Sequence, residues 1–182
     1  MKDISLHILD IAENSVAAGA TLVKIRIIED IEKDLLSLEI EDNGKGIPEE
    51  LIGKVLDPFH TTRTTRKVGF GLSLLAQSAR EAGGDISIKS KQGEGTVVSA
   101  RFIHSHIDRK PLGNIADTFL VLIAGNPLVD FIFNYIKNNN RYELDTRQIK
   151  SELEGIPINS PPVISAIRED LRECLNNNPS VA

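Results

Sequence analysis

The sequence predicts an α/β (α+β) two-layer sandwich, helices over one face of a mostly antiparallel sheet, followed by a small and mainly helical module. Three observations predict it. Apolar residues recur at helical spacing in three separated stretches of the first hundred residues. Two pairs of stretches between them alternate apolar and polar positions, and each pair is joined by a short turn, so the order is helix, hairpin, helix, loop, helix, hairpin.

Residues 3–18 place Ile4, Ile8, Leu9, Ile11, Ala12 and Val16 at three- and four-residue steps behind Asp3, a good N-cap, so an amphipathic helix runs to Gly19. Residues 21–30 and 34–43 alternate around the charged turn from Glu29 to Asp34 and read as a hairpin. Pro48 starts a short helix to about Val55, residues 57–71 are loop, and residues 72–84 are a helix ended by Gly83 and Gly84. Strands over 85–91 and 96–105 are joined by a turn at 92–95.

After residue 106 the texture changes. Residues 115–137 read as two helical stretches broken at Gly125, Asn126 and Pro127, 142–146 as a strand, and 147–154 as a helix. Residues 160–177 read as a final helix with Ser160 as cap and proline in its first turn. The division expected is residues 1–106 as the main domain and residues 107–182 as a small mixed, mainly helical module near the lower size limit for folding alone.

A net charge of −5 and a pI near 5.4 leave no basic face for a phosphate backbone, so no nucleic-acid partner is expected. Residues 107–182 carry eight Lys and Arg against ten Asp and Glu, which points the same way. Cys174 is the single cysteine, which excludes a disulfide or cysteine-based metal site within the chain and reads as a small buried apolar residue. No leader pattern precedes Ile4 and no apolar run nears the roughly 18 residues of a membrane span, so a cytoplasmic protein without membrane contact is expected.

Four motifs read as walls of one nucleotide pocket. On the first helix, Asp10 and Asn14 are four apart and share a face, while Glu13 is turned away by about 100°. An amide oxygen of Asn14 suits Mg²⁺, and Asp10 could take a proton or hold a metal-bound water. In residues 41–48, EDNGKGIP, Asp42 can accept from the adenine amine, and Gly44 and Gly46 let the backbone close over a flat base. Residues 57–72 combine hydroxyls with Arg63, Arg66 and Lys67 and with Gly69 and Gly71 before a helix N-terminus, which suits phosphates. Thr96, in the GEGT of 93–96, can join a hydrogen-bond network under the base. Singly, each reads as readily as helix-surface polarity or an ordinary turn.

Taken together and in this order, the four motifs over residues 3–104 resemble the GHKL family of ATPases and kinases: gyrase-type topoisomerases, ninety-kilodalton heat-shock chaperones, mismatch-repair ATPases and sensor histidine kinases. The resemblance implies the Bergerat fold and ATP with Mg²⁺ as ligands. It assigns to the nucleotide Asn14, Asp42, Gly44, Gly46, Ile47, Thr61, Thr62, Arg63, Gly69, Gly71, Leu72 and Thr96, with Asn14 the metal ligand and Asp10 the catalytic candidate. The lid, DPFHTTR running into GFGLSL, is similar to histidine kinases, whereas ENSVAAGAT is similar to mismatch-repair ATPases. Hydrolysing members usually carry glutamate where this chain has Asp10, and kinases commonly carry a basic residue where it has Ala17.

Histidine kinases place a phosphoaccepting histidine on a helical hairpin before the ATP domain. Here His7 lies on the binding helix, His60 in the lid, and His104 and His106 at the end of the last strand on one side of it, so all four read as structural. The expectation is a stand-alone kinase module, of histidine or serine type, that passes the ATP γ-phosphoryl group to a partner protein. A non-catalytic ATP sensor acting on a regulatory partner and a slow ATPase are the alternatives, and the oligomeric state is open between monomer and homodimer.

Overall fold

The computed structural model describes residues 1–55 and 71–176. The first helix, α1 (Ile4–Ala17), starts where expected: the Asp3 carboxylate accepts from the Leu6 N–H at 3.0 Å, and Gly19 leaves the helix at φ +80°. Its buried face is Ile4, Ile8, Ile11, Ala12 and Ser15. Strands β1 (Leu22–Asp30) and β2 (Leu35–Asp42) form the first hairpin, with Val23 opposite Asp42 and Asp30 opposite Leu35. The short helix α2 (Glu49–Val55), helix α3 (Gly71–Glu81) and the hairpin of β3 (Asp85–Lys91) and β4 (Gly95–Ile103) complete the first part.

The rest of the chain adds α4 (Ile115–Gly125), β5 (Asp130–Lys137), β6 (Asn140–Asp145), α5 (Thr146–Glu152) and α6 (Pro161–Asn176). The sheet order is β3-β4-β2-β1-β5-β6, and every pairing is antiparallel except that of β1 with β5. This is the expected α/β sandwich with a mostly antiparallel sheet. Val23, Ile25, Ile27, Leu36, Leu38, Ile40, Val98, Ala100 and Phe102 turn inward from the central strands and meet the helices in one core. On the other face Lys24 pairs with Glu41 and Arg26 with Glu39, an ionic surface exposed to water.

Two expectations about the later part are corrected. Residues 130–137 are a strand, where helix was expected: Phe131, Phe133 and Tyr135 point into the core at two-residue intervals, and the backbone pairs with β1 from Leu22–Asp130 to Glu29–Lys137. The later segment is mainly helical, as expected, but it also supplies two of the six described strands, and its aromatic residues join the same core. Phe119 of α4 meets Phe133 with ring centroids 4.2 Å apart. Ser160 does not cap α6 with its side chain. Its carbonyl accepts from Ile164 at 3.0 Å, but its buried hydroxyl has no partner among the described residues; Pro162 removes the N2 amide, one of the two donors a cap side chain uses.

Helices α1 and α4 run side by side in the same direction. Asp3 and Ser5 lie against Gly113, just before α4, while Asn126, just after it, donates to Glu13 at 3.2 Å. This leaves the other flank of α1, carrying Asp10 and Asn14, turned toward α3.

Candidate nucleotide site

The predicted residues converge where α1, the start of α3 and the loops after β2 and before β4 meet. On α1, the Asn14 amide nitrogen lies 3.5 Å from Asp10 Oδ2, which orients the pair and leaves the Asn14 amide oxygen without a partner among the described residues. Asp10 reaches across to the first residue of α3. A Cβ at Gly71 would fall 1.7 Å from Asp10 Oδ2, so the carboxylate lies directly against the bare Cα, and a side chain there would push the Asp10 carboxylate aside. A carboxylate at this N-terminus is electrostatically favoured, and the same positive end favours phosphate. Leu72 is buried beside it in the core.

Asp42 closes β2 and is fixed at both oxygens. Ser15 Oγ donates to Oδ2 at 2.7 Å and the Gly44 N–H donates to Oδ1 at 2.8 Å. Each carboxylate oxygen has a second lone pair, so Asp42 can still accept from a ligand. Thr96 stands directly opposite Asp42 on β4. Its hydroxyl pairs at 2.8 Å with that of Ser90, which also donates to the Gly95 carbonyl at 2.9 Å and accepts from the Ile47 N–H at 2.7 Å.

The glycines do something the sequence reading did not assign to them: they let two loops interlock backbone to backbone. A Cβ at Gly46 (φ +70°) would lie 2.2 Å from the Lys91 carbonyl oxygen, and one at Gly95 (φ +117°) would lie 1.9 Å from the Asp42 carbonyl oxygen. The Gly93 N–H donates to the Lys45 carbonyl at 2.8 Å across the same contact. Gly44 abuts Ala18 at the end of α1, and the Lys45 N–H donates to the Ala18 carbonyl at 3.1 Å. Thus the loop bearing Asp42 is clamped between α1 and the β3–β4 turn.

Ser15, Asn43 and Ser90 were missed by sequence reasoning. Asn43 accepts from the Thr21 and Leu22 N–H groups at 2.9 and 3.0 Å and donates to the Thr21 hydroxyl at 2.8 Å, tying the loop to the start of β1. Ser15 carried a usable signal: a polar residue four positions after Ile11, on the buried face of the helix, immediately after Asn14. Thr61, Thr62, Arg63 and Gly69, together with Arg66, Lys67 and His60, lie outside the described residues.

The other histidines lie away from this constellation. His7 is buried, and burial first, then the N-terminal ammonium, lowers its pKa to about 4, so it is neutral at pH 7. His104 and His106 do not share a strand face, since β4 ends at Ile103. His104 Nε2 lies 2.9 Å from Glu29, whose buried carboxylate also accepts from the Tyr135 hydroxyl; burial and that bond push the Tyr135 pKa upward. Glu29 is at the far end of β1 from Leu22, where the Asp42 loop is tied.

Residues 2–106 match the family described as histidine kinase-, DNA gyrase B-, and HSP90-like ATPase. The chain belongs to that family and carries its ATP-binding, kinase-like domain. A putative sensor histidine kinase NtrY-like of Rickettsia conorii is 31% identical over 110 residues, 60% of this chain and 18% of that protein. The tetrathionate sensor histidine kinase TtrS of Salmonella typhimurium is 34% identical over 97 residues, 51% of this chain and 16% of that one. The chain thus spans less than a fifth of the length of these relatives. Among solved structures, the N-terminal domain of a DNA repair protein is similar in fold, with a TM-score of 0.55 at 16% identity, covering 80% of this chain and 53% of the other. That coverage exceeds the span of the family match, so the likeness in fold extends past residue 106. Among the described residues no helix is long and apolar enough to cross a membrane.

Proposed function

We propose that this chain is a stand-alone Mg²⁺–ATP-dependent kinase module that passes the γ-phosphoryl group of ATP to a histidine or serine of a partner protein in the cytoplasm. The observation that carries the reading is the Asp42 carboxylate, held by Ser15 and Gly44 with lone pairs to spare and set opposite Thr96. Such a group reads an exocyclic amine, so adenine lies against Asp42 and Thr96, with Gly44, Gly46 and Ile47 shaping the turn beside it. The phosphates then extend toward Asn14 and the N-terminus of α3 at Gly71 and Leu72, where Thr61, Thr62, Arg63 and Gly69 of the intervening segment would complete their contacts.

Mg²⁺ fits the donor set: the amide oxygen of Asn14, without a partner among the described residues, is a hard ligand beside a carboxylate, and this ion favours few protein ligands with phosphate oxygens and water. When bound, it neutralises charge on the phosphoryl group in flight. The work of the chain's own residues is positioning: Asn14 orients the phosphate end, Asp42 fixes the base end, and Asp10 accepts a proton or holds a water. In this proposal residues 1–106 are the ATP-binding unit and residues 107–182 face the partner; the oligomeric state is monomer or homodimer.

A second reading is favoured by one observation. The Asp10 carboxylate is lodged against Gly71 at the α3 terminus, and it is one methylene shorter than the glutamate usual in hydrolysing members, which suits an ATP sensor or a slow ATPase. Incubation with γ-labelled ATP and Mg²⁺ in the presence of source-cell extract separates the readings. Label on a second protein, lost in Asn14→Ala, is the result expected for the kinase. Free phosphate alone supports the ATPase, and unchanged ATP supports the sensor; either result ends the kinase proposal.

A further inference from the structure

Helix α6 divides its charge between two faces. Asp170 faces β6, where it accepts from the Tyr142 hydroxyl. Arg168 and Arg172 instead border a cleft of about 510 Å³ between α6 and α4. Helix α4 lends this cleft Leu120, Val121 and Ala124, and α6 lends it Ile164. Leu120 is buried, whereas Val121 is 54% exposed and Ala124 is exposed beyond it. The residues from each helix recur at three- and four-residue steps, so each helix contributes one ridge. Two such ridges side by side leave a groove of the width that a third helix fills.

The charge of the groove sets its occupant. Arg168 and Arg172 lie one turn apart and are exposed, and among the described residues neither makes an ion pair, even with Glu169 or Glu173 of their own helix. Asp117, the single acid on the lining, is engaged in the first turn of α4, where it accepts from the Asn114 amide at 2.6 Å. The rest of the sequence holds little to answer the two arginines: residues 56–70 carry Asp57 against Arg63, Arg66 and Lys67, and residues 177–182 carry no acidic side chain. In a chain of net charge −5, two adjacent cations without a carboxylate mark a place for an acidic ligand.

We infer that the α4–α6 groove docks an amphipathic helix of a partner protein, apolar along one face and acidic on its flank. Apolar residues of that helix at i, i+3, i+4 and i+7 lie over Leu120, Val121, Ala124 and Ile164. Carboxylates four residues apart on its flank reach Arg168 and Arg172, each of which can hold one in a bidentate pair. From Asp117 to Ala124 the groove is about 10 Å long at 1.5 Å per residue, so two to three turns of the partner fill it. The inference rests on the reading that residues 107–182 face the partner. It does not depend on the fate of ATP, so the labelled-ATP result stands whether or not this surface is correctly assigned.

The test uses the full chain without nucleotide and a fluorescein-labelled peptide, Ala-Glu-Leu-Gln-Ala-Leu-Leu-Ala-Glu-Leu-Gln-Ala-Glu-Ala, followed by fluorescence anisotropy. Binding is expected, with at least a tenfold loss for the analogue with lysine in place of each glutamate and for a scramble that spreads the leucines around the helix. Raising the salt concentration is expected to weaken the acidic peptide. Arg168→Glu combined with Arg172→Glu, both at exposed positions, is expected to weaken the acidic peptide about tenfold, to strengthen the lysine analogue, and to leave ATP affinity unchanged. Failure of the acidic peptide to bind at millimolar concentration overturns the inference, and so does equal binding of the scramble or of the lysine analogue; each is read on the parent protein. A dimer of the parent in sedimentation that Arg168→Glu dissociates gives the groove to a second copy and overturns it as well.

Discussion

The two halves of the sheet are built on opposite principles. Where β2, β4 and the Asp42 loop meet, the chain is held by backbone touching backbone: Gly46 against Lys91 and Gly95 against Asp42 leave no room for even one methyl group. In the β5 half the filling is side chain, with Phe133 in ring contact with Phe119, Tyr135 and Tyr142. A site built from backbone is stiff and intolerant of substitution, which suits a pocket that must present one carboxylate at a fixed position. A layer built from rings tolerates exchange of one apolar residue for another and serves to extend the sheet.

The largest effect is expected at Phe133. If the β5 half shares one core with the nucleotide half, Phe133→Ala costs about 3–5 kcal/mol, and chemical denaturation followed by near- and far-UV signals gives one shifted transition for the whole chain. Two separate transitions, with only one moved, would show that the halves fold independently. Next is Gly95→Ala, which sets a methyl group 1.9 Å from the Asp42 carbonyl at a φ of +117° and is expected to destabilise by about 3 kcal/mol. Unlike Phe133→Ala, it should also weaken ATP at temperatures where the chain remains folded, because it moves the Asp42 loop.

Ser15→Ala has a smaller effect, confined to the nucleotide half. Losing its bond to Asp42 is expected to cost about 1–2 kcal/mol of stability and to lower ATP affinity by a few-fold, with Ser15→Thr recovering part of both. The last effect is confined to acid and leaves stability at pH 7 untouched. The folded-state pKa of His7, about 4, is below its ordinary 6.5, so the unfolded chain binds this proton first. Stability from His7 is complete above pH 6.5 and is lost as pH falls toward 4. His7→Leu is expected to flatten the pH dependence of the melting temperature over that window, and an unchanged slope would assign the acid sensitivity to other groups.

The nucleotide half was legible because its constraints act through residue type. Glycine at close approaches, Asp42 at the end of an alternating strand and Asn14 one helical turn after Asp10 leave marks that survive in a single sequence. The β5 half left an ambiguous mark. β5 lies between two strands, and its other face carries Ile132 and Ile136, so Phe131, Ile132, Phe133, Tyr135 and Ile136 form a near-continuous apolar run. A run apolar on both faces has no clear period, and after the helical pattern of 115–125 it reads as more helix. Its pairing with β1, more than a hundred residues earlier, leaves no local signal at all. Ser90 left no such mark, and Ser15 left only that of a polar residue on a buried helix face. Their role is to hold Asp42 and Thr96, and that role exists only once α1, β3 and β4 are assembled.

The central claim is that Asp42 reads the adenine amine, and nucleotide discrimination tests it most directly. Titration calorimetry with ATP and with inosine triphosphate, which has a carbonyl in place of the amine, gives the ratio of their affinities in the parent and in Asp42→Asn. The parent is expected to favour ATP by about tenfold or more, and Asp42→Asn, able to donate to the carbonyl, to collapse or invert the preference. Equal affinity for the two nucleotides in the parent, or an unchanged ratio in folded Asp42→Asn, would contradict it.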